Sequence, residues 1–200
     1  METENGSVKI RLQCNQPLAE NIYTKAKEHR LPVIAVNYGT NEGPASCMPM
    51  DWGTLVPLWF FGTTAEKARV VVVTPSREIP LKELVGFGTV IAQVAEKSAG
   101  RIALVASADQ AHAHDSKGPY GFSPAAAKFD RLVVEAVKNE RLNMLLNLEQ
   151  KLVEDAKPDS IWQMAVLVGV LSTRPMEAKL ISYQAPTYYG MVCAAYLPKR

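Results

Sequence analysis

The chain alternates short runs of apolar residues with longer segments in which apolar residues recur every three or four positions. Short runs predict strands, and the periodic segments predict helices with one apolar face. Strands are predicted over residues 8–13, 31–38, 69–74, 101–107, 180–183 and 191–197, and a loop over 39–50. Helices are predicted over residues 18–29, 81–99, 124–138, 141–156 and 159–171. This alternation predicts an α/β fold, a mostly parallel or mixed central sheet with helices on both faces, in a single domain over residues 1–200.

Local sequence signals refine these elements. The strands over 69–74 and 101–107 are almost continuously apolar, which predicts full burial. Gly100 is expected to end the helix over 81–99, and Ser123 to cap the next helix, whose first turn holds a proline. Residues 51–61 are dense in aromatic side chains, which indicates either a short buried helix or the wall of a pocket.

Composition excludes several classes of protein. With 200 residues, 48% hydrophobic content and a formal charge of +2, the chain can bury a core and has no basic stripe for nucleic acid. No apolar run approaches the roughly 20 residues of a membrane span. The polar, acidic start does not fit a secretory signal. Three widely spaced cysteines without a CxxC pair predict small buried apolar side chains and a cytoplasmic protein: Cys14, Cys47 and Cys193.

Candidate chemistry is concentrated after residue 107, where two of the three histidines follow an apolar strand. His112 is either a proton-transfer group at a strand end or an exposed loop side chain. His114 either forms a metal clip with His112 or lies exposed in the loop. Asp109 and Asp115 are equally suited to orienting an imidazole or to bonding nearby backbone amides. Asp159 follows a proline and either caps a helix or ligates a metal.

Aromatic residues suggest where a substrate ring would bind. Asp51, Trp52 and Pro57 form either a pocket wall or ordinary core. Residues 118–121, Gly-Pro-Tyr-Gly, predict a tight turn with positive φ at glycine, in which Tyr120 can reach a substrate.

Four segments together resemble one enzyme family. They are MDWGTLVPL at 50–58, SADQAH at 107–112, the turn and helix at 118–130, and strands containing SYQAPTYYGM at 181–196. The chain is similar, from about Val8 onward, to the later part of the class III (LigB-type) extradiol ring-cleavage dioxygenases. The resemblance implies an α/β fold and an oxidoreductase that opens a catechol-like or aminophenol-like ring with O2, in aromatic compound catabolism.

The resemblance also implies roles for residues. The family holds non-heme Fe(II) with two histidines and a glutamate, the facial triad with open positions. His112 matches the acid/base histidine, and Asp109 and His114 are expected beside it. Asp159 stands where the family has its ligand glutamate. Asp51, Trp52, Pro57 and Tyr120, the aromatic-rich and turn residues above, are the expected substrate contacts.

The chain departs from the family at the other two iron ligands. Both ligand histidines of the family precede the region that this chain resembles, and His29 matches neither. Full activity would then require those ligands from a preceding segment or a partner subunit. The alternatives are a non-catalytic or truncated homologue without iron, and a small-molecule binding module that uses the aromatics of residues 51–61. A homodimer is the expected assembly.

Overall fold

Capping side chains set where several helices of this protein begin. In the computed structural model the Asn15 side chain accepts a hydrogen bond from Leu18 N at 3.3 Å, and Ser123 Oγ accepts one from Ala125 N at 3.2 Å. Pro124 follows Ser123 in the first turn, as predicted. The structure describes residues 2–3, 6–36, 38–39, 43 and 46–199. Residue 37 and part of the predicted loop, 40–42, 44 and 45, lie outside these ranges.

Contacts divide the chain into two compact units, Met1–Thr74 and Pro75–Arg200. The first unit contains strands β1 (Glu2–Thr3), β2 (Gly6–Ser7), β3 (Gln13–Cys14) and β4 (Arg69–Val70), and helices α1 (Gln16–Glu28), α2 (Trp52–Phe60) and α3 (Thr63–Glu66). β1 pairs with β2 antiparallel, and β3 pairs with β4 parallel. In α2 only Leu55 is buried, and Phe60 is 84% exposed, so the interpretation of 51–61 as a buried core helix is wrong.

The second unit carries the larger core. Its helices are α4 (Leu81–Glu96), α5 (Pro124–Lys138), a 3₁₀ helix (Leu142–Asn147), α6 (Gln150–Ala156) and α7 (Ile161–Thr173). Strands β5 (Met176–Gln184) and β6 (Met191–Pro198) form an antiparallel hairpin whose register shifts between Leu180 and Ser182. Phe129 and Val133 of α5 are fully buried and pack with residues of α6, α7 and the hairpin.

Two glycines let α4 and α7 touch through their backbones. A Cβ on Gly88 would overlap the carbonyl oxygen of Val166, and a Cβ on Gly169 would overlap that of Val85. Thr89 Oγ1, next to this crossing, donates to Val85 O at 3.3 Å. Only glycine permits so close an approach of two helix backbones, so this pair sets the spacing of the two helices.

The α/β class is confirmed, with mixed strand pairing in two-stranded ladders. The strands predicted over 31–38 and 101–107 are wrong for their described residues, which form no ladder. Of the strand predicted over 69–74 only Arg69–Val70 pairs, and Val73 is 40% exposed rather than buried. A strand exists only where a neighbour accepts its backbone hydrogen bonds, and apolar content alone does not supply that neighbour.

Further predictions fail locally. The helix predicted over 141–156 is two pieces, because Leu148 adopts an extended conformation between them. α4 ends at Glu96, ahead of Gly100. The three cysteines are free and exposed, not buried. Among the described residues no helix has the length and hydropathy needed to cross a bilayer.

Candidate functional site

The residues around His112 are held by backbone hydrogen bonds to two other segments. Gln110 N donates to Gly190 O at 2.8 Å, and His114 N donates to Tyr188 O at 3.1 Å. Between them, His112 N donates to Ala156 O at 2.9 Å, at the end of α6. The histidine segment is therefore fixed between the turn of the β5–β6 hairpin and the α6–α7 connection.

The His112 imidazole is buried, and its surroundings define its protonation pattern. The residue is 7% exposed, and its Nδ1 lies 3.1 Å from Lys157 O. Because a carbonyl oxygen only accepts hydrogen bonds, this contact places a proton on Nδ1. In the neutral ring the lone pair is then on Nε2, which lies 3.7 Å from Asp109 Oδ2. His112 thus has one nitrogen anchored and one nitrogen free to accept a proton.

Three tyrosine rings surround this imidazole, and we call them the tyrosine cluster: Tyr120, Tyr188 and Tyr189. Their ring centroids lie 5.3, 5.8 and 5.9 Å from that of His112, with Tyr120 edge-on. Tyr188 and Tyr189 also contact each other, at 4.9 Å. Rings at these separations attract one another, so the cluster forms an aromatic wall around the imidazole.

The predicted Gly-Pro-Tyr-Gly turn positions Tyr120. Gly118 N donates to Asp115 O at 3.0 Å, and Gly121 has a φ of +71°, which favours glycine. A Cβ at Gly118 would lie 2.6 Å from Tyr188 Cβ, so glycine allows the turn to lie against the hairpin. The structural interpretation of this turn is confirmed.

Of the two alternatives for His114, the exposed loop side chain is wrong. Its side chain is 13% exposed, and its Nε2 lies 2.7 Å from Oδ2 of Asp130, which is fully buried. Tyr183 OH donates to the same oxygen at 2.8 Å, and Ala111 N donates to Oδ1 at 2.9 Å. Burial and then this hydrogen bond raise the pKa of Tyr183, so its hydroxyl stays a donor.

The other predicted carboxylates have different surroundings. Asp115 Oδ1 accepts from Lys117 N at 2.9 Å, so it stabilises a local turn, whereas Asp109 Oδ2 lies 3.7 Å from His112 Nε2. Asp159 forms an ion pair with Arg77, whose guanidinium lies 4.9 Å from the centre of the Trp162 ring. The prediction that Asp159 caps α7 is wrong, because Ser160 occupies the cap position.

The donor set in the described ranges does not fit the iron site of the related family. No three histidine, cysteine or carboxylate side chains in those ranges are grouped as metal ligands. Asp159, at the expected ligand position, is instead neutralised by Arg77. His112 uses Nδ1 to bind Lys157 O. The prediction that Asp159 ligates a metal stays a prediction.

Three predicted substrate residues belong to the first unit. Asp51 caps α2 by accepting a hydrogen bond from Thr54 N at 2.8 Å. Trp52 is 64% exposed at the start of that helix, and Pro57 lies within it. Their contact with a substrate stays a prediction. A surface depression of the second unit involves none of the predicted site residues, and its lining includes Leu142, Leu171 and Tyr196.

Sequence reasoning missed four residues of the site: Asp130, Tyr183, Tyr188 and Tyr189. The tyrosines lie in the segment SYQAPTYYGM, whose likeness to the family was a usable signal. Asp130 lies at a buried position of an otherwise regular helix. A charged residue on an apolar helix face is a signal, since such residues are rarely buried without partners.

Comparison with known proteins finds a relative and a family. The protein CA_C1420 of Clostridium acetobutylicum is 25% identical over 178 residues, covering 89% of this chain and 38% of that protein. The chain thus spans well under half the length of this relative. A family profile described as the catalytic LigB subunit of aromatic ring-opening dioxygenase matches residues 3–194. The chain therefore belongs to the LigB family of aromatic ring-opening dioxygenase subunits.

Proposed function

We propose that this chain takes part in extradiol opening of a catechol-like or aminophenol-like ring by O2, with His112 as the acid/base group. Members of the LigB family are in general non-heme iron-dependent aromatic ring-opening dioxygenases, and often act with partner subunits. The observation that carries the proposal is the buried His112 ring, with Nδ1 anchored on Lys157 O and Nε2 left to accept a proton.

The chemistry proposed for His112 is one reversible proton transfer. Nε2 accepts the proton of a ring hydroxyl, which leaves a phenolate oxygen on the substrate and an imidazolium on the protein. Asp109 Oδ2 lies 3.7 Å from Nε2, next to the nitrogen that receives the proton. The imidazolium then returns its proton to the opened product. The activation of O2 would come from iron held with ligands that a partner subunit supplies.

The tyrosine cluster supports an aromatic substrate. Flat rings bind well against other rings at offset or edge-on geometry, and the cluster places three such rings beside the proton acceptor. Tyr120 was proposed as a substrate contact from the sequence, and its position against His112 supports that role. Asp51, Trp52 and Pro57 remain proposed substrate contacts.

The experiment measures O2 uptake and product formation from catechols with added Fe(II), under air. The parent chain and the His29→Ala variant should show equal rates, because His29 lies at the exposed end of α1. The His112→Ala variant should lose about 10²- to 10⁴-fold, the usual contribution of a general acid or base. An unchanged rate in His112→Ala would show that the assignment of its role is wrong.

A second candidate function is a subunit that keeps the fold but binds no iron by itself. The ion pair between Asp159 and Arg77 favours it, since the only carboxylate at the expected ligand position already has a cationic partner. Metal analysis of the protein after purification with Fe(II) separates the two candidates. One iron per chain at high affinity excludes the second.

We also propose a homodimer, a partner subunit that supplies metal ligands, and a cytoplasmic location. The free thiols support the cytoplasmic location.

A third candidate is a small-molecule binding module formed by the aromatics of α2. Trp59 is 50% and Phe60 84% exposed, and exposed aromatic residues are common at binding surfaces. A thermal-shift titration with catechols in the absence of metal tests it. The shift should disappear in Trp59→Ala, and no shift at millimolar ligand contradicts it.

A further inference from the structure

The best-connected buried charge of the second unit is Asp130, which the proposed chemistry does not use. Its residue is 0% exposed, and its two oxygens accept three hydrogen bonds, at 2.9 Å from Ala111 N, 2.7 Å from His114 Nε2 and 2.8 Å from Tyr183 OH. A buried carboxylate is stable only when such donors replace its water. The three donors therefore account for its burial.

These donors lie on both sides of His112. Ala111 precedes it and His114 follows it by two residues, so the carboxylate holds the backbone on one side and an imidazole on the other. Tyr183 belongs to β5 and links the same carboxylate to the hairpin. Because a carboxylate only accepts, the His114 ring must carry a proton on Nε2.

Gly190 brings the tyrosine-bearing turn onto the same carboxylate. A Cβ at residue 190 would overlap Asp130 Oδ2 and lie 2.8 Å from its Cγ, so only glycine fits there. Gly190 N also donates to Ala111 O at 2.9 Å. The two preceding residues are Tyr188 and Tyr189, whose rings contact His112. Asp130 is thus the point at which the histidine segment, α5 and the hairpin turn meet.

We propose that Asp130 is a positioning residue, which holds the His112 ring and the tyrosine cluster in register through Ala111, His114 and Tyr183. The catalytic consequence rests on the proposed function of His112. The effect of Asp130 on the positions of these rings does not rest on that function, because it is present in the protein without metal or substrate. Losing Asp130 would let the histidine segment move relative to the tyrosine rings while the apolar core of α5 remains.

The test is long-range ¹H–¹⁵N correlation of the imidazoles in the metal-free protein, which contains only three histidines. In Asp130→Asn the ring signals of both His112 and His114 should shift. The amide has one acceptor oxygen where the carboxylate has two, so it cannot keep all of the hydrogen bonds from Ala111, His114 and Tyr183. Glu96→Gln is the control, since that carboxylate is in the last turn of α4 and pairs with Arg174 at 3.5 Å. It should leave both histidines at their parent positions.

If Asp130→Asn does not fold, Tyr183→Phe tests the same proposal, because it removes the hydroxyl donor and leaves the Asp130 carboxylate in place. Its control is Tyr196→Phe on the paired strand, where the buried hydroxyl has no hydrogen-bond partner in the described structure. Tyr183→Phe should shift both histidines, and Tyr196→Phe neither. His112 signals that stay at parent positions in folded Asp130→Asn or Tyr183→Phe overturn the proposal.

Catalysis gives a separate readout. If the parent opens catechols, Asp130→Asn should lower kcat about tenfold or more with KM within about twofold, as expected for a displaced proton acceptor. A kcat equal to the parent's overturns the positioning role. A parent without ring-opening activity contradicts the proposed function alone, and the imidazole spectra still decide the role of Asp130.

Discussion

The close crossing of α4 and α7 predicts a large stability loss for Gly169→Ala. The new Cβ would lie 2.8 Å from Thr89 N and 2.9 Å from Gly88 Cα, and would overlap Val85 O. Ordinary contact begins near 3.4 Å, so the Thr89 N contact is 0.6 Å too short. All three neighbours are backbone atoms, and no side-chain rotation relieves the clash. Overpacking of this kind costs about 1–3 kcal/mol.

The measured loss should be roughly 2 kcal/mol, because overpacking against the rigid backbone of α4 lies at the upper end of that range and alanine returns about 1 kcal/mol of helix propensity. Urea unfolding followed by circular dichroism measures it. Gly100→Ala is the matched control, since its Cβ would have one neighbour, Ser98 Oγ at 3.9 Å. The control should be neutral or slightly more stable. Gly169→Ala and Gly100→Ala of equal stability would refute the backbone contact.

Three further predictions concern stability and exposure. Ser123→Ala removes the cap of α5 and should lower the free energy of unfolding by about 1 kcal/mol in urea titrations, whereas Ser123→Asp should retain it. Burial and then the charge of Glu140 raise the pKa of Tyr196 to about 12, above its ordinary value of 10.0. The contribution of Tyr196 to the free energy of unfolding is therefore fully present below pH 10 and is lost as the pH rises toward 12. In Tyr196→Phe the free energy of unfolding should fall less steeply over this pH range, and an unchanged slope contradicts the prediction. All three thiols are exposed, so a thiol reagent should label three groups per native chain, and fewer would contradict the structure.

The helices of this fold could be predicted from the sequence because their signals are local. Ser123 and Pro124 mark the start of α5, and the three- and four-residue spacing of its apolar residues marks its buried face. The strand predictions over 31–38 and 101–107 failed because pairing depends on a distant neighbour. Leu104 is 39% exposed in a segment that composition alone assigns to a core. Apolar content predicts a tendency to be buried, not the partner that provides the burial.

The candidate site was predictable in part. His112 follows a strand-like segment and lies beside Asp109, as the motif SADQAH suggested. The sequence alone leaves the surroundings of His114 open, because its partner Asp130 lies sixteen residues away on a helix. The ion pair of Asp159 with Arg77 likewise joins residues far apart in sequence. Such pairings depend on the tertiary fold, and residue spacing does not encode them.

The proposed proton transfer depends on His112 presenting Nε2 as its proton acceptor. Long-range ¹H–¹⁵N correlation of the parent protein tests this directly, because only three imidazoles contribute. The structure predicts that neutral His112 carries its proton on Nδ1, toward Lys157 O, and that His114 carries a proton on Nε2, toward Asp130. A His112 spectrum with the proton on Nε2 and a bare Nδ1 would contradict the account.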